Sequence, residues 1–448
     1  MAAYVIDSDL FRDQFSTAAS RRIFSDRNTV QKWLEVEAAL ARAEAKLGII
    51  PEAAAVEITR VADAELYDLD AMKAEMDRTA HPIVPLVRAM AAHCNDGMGE
   101  YVHWGATTQD IMDTGMILQL REVWAEFAGS LSDIKANLRR LAETHKSTPM
   151  PGRTHGQQAL PITFGYKVAV WIAEAQRHQE RMEQAAPRIF NGQFSGAVGT
   201  LASLGDRGLE VQPLMMQELG LTQPLISWHS GRDGLYEFTN LAAMLGGLGG
   251  QIAREVFTLS RTEIAELEEP FHHGKVGSST MPQKRNPAIC EGIMSLTRSI
   301  RSSLSMAFDA LSAEHERDKV ATQTDREYLP RLCCQVDAAL KKTAFLTDGL
   351  TVNVDAMRRN LDITKGLLLS EAVMMQLAEH IGRQEAHDVV YEAAMAAHAS
   401  GRGLKDHLLE DPVVADRFSS TEIDALLDPA AYVGLSEIFV ERVLDATA

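Results

Sequence analysis

Residues 123–141 read VWAEFAGSLSDIKANLRRL. Apolar side chains return on this stretch by threes and fours, at Val123, Phe127, Leu131, Ile134, Leu138 and Leu141. That spacing lines them along one stripe of an α-helix. Residues 30–47 keep the same rhythm with Val36, Leu40, Ala43 and Leu47, and stop at Gly48 and Pro51, a pair that ends helices. It returns at Leu241, Leu245, Leu248, Ile252, Val256 and Leu259, and after Pro287 at Ile293, Leu296, Ile300 and Leu304. A period of about 3.5 residues suits long, nearly parallel helices packed as a bundle. Strand-like alternation is scarce, and Asn191 to Gly205, rich in Gly, Ser and Ala, reads as a loop. The expected fold class is all-α with a long central helical bundle.

Gly246, Gly247, Gly249 and Gly250 fall inside the third run. Each costs about 0.5–1 kcal/mol in a helix interior relative to alanine. Either a closely packed neighbouring helix compensates, or the helix breaks there. Gly-Gly-Leu-Gly-Gly follows no predicted strand, so it is not read as a nucleotide loop.

The chain has 448 residues, 62 acidic against 44 basic, for a net charge of −18. Nonspecific nucleic-acid binding needs a basic face, so no nucleic-acid partner is expected. A local cationic pocket can still hold a small anion. The longest apolar-looking run, Leu241 to Ala253, is too short to span a bilayer, and no signal peptide is read at the N-terminus; no membrane partner is expected. Four cysteines, Cys94, Cys290, Cys333 and Cys334, are too few for a disulfide framework and fit a reducing cytoplasm. Neither His272-His273 nor His315-Glu316 has the spacing of a metal site. No metal and no cofactor are expected.

Residues 277–287 read GSSTMPQKRNP. A serine hydroxyl is a poor base unless positive charge and hydrogen-bond donors stabilise its alkoxide. Lys284 supplies charge, and a helix opening at Pro287 would point its positive end at the loop, with Asn286 as its cap. Gly274 and Gly277 allow the loop to close as a lid. Residues 151–161 read PGRTHGQQALP. His155 carries an imidazole, a group able to hand a proton to a leaving group near neutral pH. Residues 102–114 read VHWGATTQDIMDT; Thr107 and Thr108 offer hydroxyls just before a helix, where a carboxylate binds well and where capping is equally natural.

These three blocks resemble the fumarase/aspartase superfamily over nearly the whole chain. The resemblance implies a three-domain all-α fold, drawn here as residues 1–112, 113–355 and 356–448. It implies removal of a proton beside a carboxylate, with Ser278 as general base. Lys284 and Asn286 would hold the carboxylate on which charge builds, with Ser279 and Met281 against the substrate. The block around Thr154 and His155 takes the adenylosuccinate-lyase-like form, in which the histidine is the general acid and His81 assists it. Thr107 and Thr108 would grip the succinyl part, with His103 beside them. Arg326, which follows the segment His315-Glu316-Arg317-Asp318, would lie near the leaving group, and Arg232 would also face the substrate. A salt-bridged turn is the alternative reading of residues 315–318. Homotetramers whose sites draw on three subunits are implied as well.

Ile23-Phe24-Ser25-Asp26-Arg27 and Leu427-Asp428-Pro429-Ala430-Ala431-Tyr432 are similar to bacterial 3-carboxy-cis,cis-muconate cycloisomerases. That branch typically has tryptophan at the position of His155 and no histidine at that of His81. Adenylosuccinate lyases hold a phosphate with an Arg-Tyr pair where this chain has Gln14-Phe15, and carry glutamine in place of Gly231. The leading expectation is therefore a cofactor-free lyase releasing fumarate from an N-substituted, or O-substituted, succinate, a small dicarboxylate or tricarboxylate. The alternatives are a lactonising cycloisomerase, adenylosuccinate lyase itself, and a helical scaffold without activity.

Overall fold

The computed structural model describes residues 4–271, 274 and 277–447. Nineteen α-helices and four short strands are found among them. The elements used below are α1 (Asp26–Lys46), α2 (Thr108–Thr144), β1 (Pro149–Thr154), β2 (Gln157–Thr163), α3 (Phe164–Ile189), α4 (Asp233–Leu259), β3 (Leu267–Glu268), α5 (Ala288–Asp309), α6 (Lys319–Asp348), β4 (Thr351–Val352) and α7 (Val354–Leu361). All four periodic stretches are helical, in α1, α2, α4 and α5. Two antiparallel pairs, β1 with β2 and β3 with β4, are the sheet content.

The chain divides into two compact units. The first holds the residues up to Leu131, His178–Gly250 and Gly292–Lys342. Its core joins Leu34, Leu40, Ile58, Leu86 and Met90 to Ile111 and Leu118 of α2. Trp124 of α2 packs against Phe190 and Phe238, with ring centroids 5.9 and 5.2 Å away. The glycines of α4 have their explanation in this unit. The helix is continuous, and a Cβ on Gly246 would lie 2.9 Å from the Ile300 side chain. One on Gly250 would lie 2.6 Å from Thr297 Oγ1. Close approach of α5 offsets the propensity cost. A Cβ on Gly247 would meet no neighbouring atom within 4 Å among the described residues, so it has no such reason.

The second unit holds Ser132–Arg177, Gln251–Glu291 and the chain from Thr343 onward. Asn137 of α2 donates to the Ala344 carbonyl of α6 at 3.1 Å. A separate apolar cluster, including Val373, Leu377, Val390, Leu404, Leu408 and Ile423, is fully or nearly fully buried. Among the described residues, no helix is long and apolar enough to cross a membrane.

Candidate active site

In the first unit the candidate residues gather at the N-terminus of α2. Asp110 sits in its first turn, fully buried. Its carboxylate accepts the N–H of Thr107 at 3.0 Å, closing the helix start. It also accepts the N–H groups of Ser195 and Gly196, each at 3.0 Å, and lies 2.8 Å from His229 Nε2. One carboxylate thus holds the Thr107–Thr108 segment, the 191–205 loop and the loop before α4. In the sequence alone Asp110 is simply an acid in the first turn of a helix, where acids are favoured. The pattern Thr107-x-x-Asp110, a variant of the capping box, was the available signal.

Thr108 Oγ1 lies 3.2 Å from His81 Nε2. His81 Nδ1 accepts the Val84 N–H at 3.3 Å, so the neutral ring carries its proton on Nε2 and donates to Thr108. Arg317 donates to Thr107 Oγ1 at 2.8 Å and to the Ala197 carbonyl. The segment read either as a lyase block or as a salt-bridged turn therefore meets the hydroxyl pair. Arg326 has a guanidinium nitrogen 3.8 Å from Met112 Sδ, one helical turn beyond Thr108. Burial lowers its pKa, with Asp113 working in the opposite sense.

Arg232 stands differently. It is buried, and its guanidinium donates to Asp113 at 2.8 and 3.1 Å and to Asp325 at 2.9 and 2.7 Å. Burial disfavours the cation, yet the two carboxylates outweigh it and raise the pKa. Four hydrogen bonds within the protein tie α2, α6 and the start of α4 together.

His103 has φ = 65°, and its Nδ1 lies 2.6 Å from Glu37 Oε1 of α1. Burial pushes its pKa down, but the Glu37 carboxylate pushes harder and the net shift is upward. Glu44, two turns further along α1, is fully buried, and neither carboxylate oxygen has a hydrogen-bond partner among the described residues. Burial, then the charge of Glu37, raises its pKa to about 9. An acid whose folded pKa is raised binds its proton more tightly when folded. Its favourable contribution is complete at pH below the unfolded value of about 4.3 and is lost as pH climbs towards 9. We expect Glu44→Met to flatten the fall in stability across this window. At pH 7 it should stabilise by on the order of 3 kcal/mol. Thermal unfolding from pH 5 to 9 checks this; parallel curves for variant and wild type would refute it.

In the second unit, β1 and β2 pair from Pro149↔Thr163 to Thr154↔Gln157. This leaves His155 and Gly156 as a two-residue turn, with φ of 52° and 78°. Two consecutive positive φ values make the type I′ turn that matches hairpin twist. Histidine is among the non-glycine residues enriched in that region. No strand-like alternation marks residues 149–163, so the hairpin has no periodic signal in the sequence. Thr154 and His155 are exposed at its tip. Among the described residues, no hydrogen bond joins His155 to Ser278.

Ser278 is half-buried, and its Oγ accepts the N–H groups of Thr280 at 3.3 Å and Met281 at 3.1 Å. The loop folds back so tightly that a Cβ on Gly277 would lie 2.2 Å from the Lys284 carbonyl oxygen. Ser279 and Lys284 are exposed and Asn286 half-buried. Met281, Lys284 and Asn286 share a cleft of about 1110 Å³ with Phe271, Glu268 and Arg285. His272-His273 lie outside the described residues. Among those described, no group of three or more His, Cys, Asp or Glu is placed to hold a metal.

The start of α5 differs from expectation. The helix begins at Ala288, one residue after Pro287. Its cap is Glu269, whose carboxylate accepts from Ile289 N–H at 2.9 Å and Cys290 N–H at 3.1 Å. A buried carboxylate there satisfies orphan donors and complements the helix dipole. Asn286 supplies instead its backbone oxygen, to Ala288 N–H at 2.9 Å.

The family described as Lyase matches residues 12–301, and that described as Adenylosuccinate lyase C-terminus matches residues 366–443. The chain belongs to this lyase family, within the fumarase/aspartase superfamily. It is 42% identical over 446 residues to N-acetyl-S-(2-succino)cysteine lyase of Enterococcus italicus, covering 100% of this chain and 98% of the relative. It is 41% identical to 3-carboxy-cis,cis-muconate cycloisomerase of Pseudomonas aeruginosa, covering 98% and 96%. The crystal structure of fumarate lyase from Mesorhizobium sp. BNC1 superposes with a TM-score of 0.90 at 39% identity, covering 96% of this chain and 98% of that one. The protein is an enzyme of this all-α fold.

Proposed function

We propose that the chain is a cofactor-free lyase that releases fumarate from a 2-substituted succinate, with sulfur as the favoured leaving atom. Nitrogen was the expectation from sequence. The name of the Enterococcus italicus relative specifies a sulfur-linked succinyl group, and this moves the proposal to a thioether. The observation that carries the reading is the pair of backbone N–H groups on Ser278 Oγ. Donors held on a hydroxyl oxygen favour its alkoxide. Lys284, in the same loop, adds a positive charge.

Ser278 takes the proton from the carbon beside one carboxylate. The charge moves onto that carboxylate, where Lys284 and Asn286 stabilise it. The electron pair then forms the carbon–carbon double bond as the carbon–sulfur bond breaks. The departing sulfur takes a proton from His155, and fumarate and a thiol leave. Thr107 and Thr108 hold the other carboxylate, with His81 orienting Thr108 and aiding the acid step. Thr154, Ser279, Met281, His103 and Arg326 surround the substrate, while Arg232 supports the first-unit cluster from within.

The exposed His155 tip supports a site completed by a second copy, in a homotetramer. Three of the four cysteines are buried, and thiols shielded in this way fit work in the cytoplasm. Incubation with an S-(2-succino) thiol should release one thiol per fumarate. Loss of 3-carboxymuconate absorbance without fumarate release from any succinyl thioether or amine would overturn the lyase reading in favour of the cycloisomerase.

A further inference from the structure

We propose that the Arg153–Glu266 pair is a positioning device, fixing the His155 tip against the strand that leads into the Ser278 loop. The proposal rests on His155 being the general acid.

An isolated two-stranded hairpin is marginally stable, so the tip is only as well placed as its base. Arg153, two residues before His155, donates to Glu266 through both ends of its guanidinium, at 2.9 and 2.6 Å. The Glu266 side chain is fully buried, and that of Arg153 is 17% exposed. A bulge precedes Arg153, where the strand register shifts between Pro151 and Arg153; such bulges re-aim side chains. Gly152 permits it, because a Cβ there would lie 2.6 Å from the Leu160 carbonyl oxygen.

The other strand is tied to the same body. Asn360 of α7 donates to Glu266 Oε1 at 2.7 Å, and Gln158 of β2 donates to the Asn360 carbonyl at 3.0 Å. Glu266 immediately precedes β3. Within the next three residues Glu268 pairs with Arg285 of the 277–287 loop at 2.6 Å, and Glu269 caps α5. One short acidic segment therefore grips the hairpin, the loop and the helix that follows it. Apolar packing would hold the hairpin close. A two-pronged guanidinium–carboxylate contact also fixes its direction, which a proton donor needs.

The test uses two succinyl thioethers. One releases an alkyl thiol that needs a proton; the other releases an electron-poor aryl thiol that departs as the thiolate. For Arg153→Lys and Glu266→Gln we expect kcat on the alkyl substrate to fall by about 10²-fold. On the aryl substrate it should change by less than about threefold, and His155→Asn should show the same selectivity. Because either single variant can fail to fold, Arg153→Met with Glu266→Met removes both charges together, a change that buried pairs tolerate far better. In that soluble double variant the selective loss must persist. Equal slowing of both substrates, or of neither, would overturn the positioning role. If His155→Asn also lacks selectivity, the acid assignment falls with it; if only the pair variants lack it, the assignment stands.

Discussion

Replacing Ser278 with alanine is expected to lower kcat by about 10³–10⁴-fold while changing substrate affinity little, since a general base acts on the transition state and not on binding. The substitution removes one oxygen from a loop whose shape is set elsewhere, by the close approach of Gly277 to Lys284 and by the Met281 carbonyl accepting the Lys284 N–H at 3.0 Å. The fold should be undisturbed. Single-turnover kinetics with a succinyl thioether, beside a binding measurement, separates the two effects. Residual turnover above roughly 3% of wild type would exclude Ser278 as the base.

The second large effect is a recovery of activity. If each site takes Ser278 and His155 from different copies of the chain, Ser278→Ala and His155→Asn should each be nearly inactive alone. Assembled into mixed oligomers at equal amounts, they should regain about one working site in four, the random-pairing fraction for two independent contributions. The exposed hairpin tip and the absence of a His155–Ser278 hydrogen bond among the described residues motivate this result. Co-expressed and co-purified variants, with mixing verified by native mass spectrometry, provide the measurement. Mixed oligomers as inactive as their parents would show that one chain supplies both groups.

Much of this protein is legible in its sequence. The helices of α1, α2, α4 and α5 follow from apolar spacing, because hydrogen bonding within a helix is local and its buried stripe is written at a fixed period. The family was legible too, because the blocks around Thr107, His155 and Ser278 carry a resemblance that the family models match. What stayed hidden were partners far apart in the chain. Glu37 and Glu44 lie one heptad apart beside the apolar face of α1, a readable sign of buried acids, but nothing local pairs Glu37 with His103. Glu269 caps a helix that begins well downstream of it, and Arg232 finds Asp113 and Asp325 on two other helices.

The sequence by itself therefore determined where helices run and to which family the chain belongs. Only the tertiary structure decided how the charged groups are spent. It made Arg232 an internal tie, Glu269 a helix cap and Asp110 the anchor of three segments, and it set His155 on a hairpin tip. The physical reason is reach. Backbone periodicity acts over a few residues, whereas a buried charge must find its partner wherever folding brings one within hydrogen-bond distance.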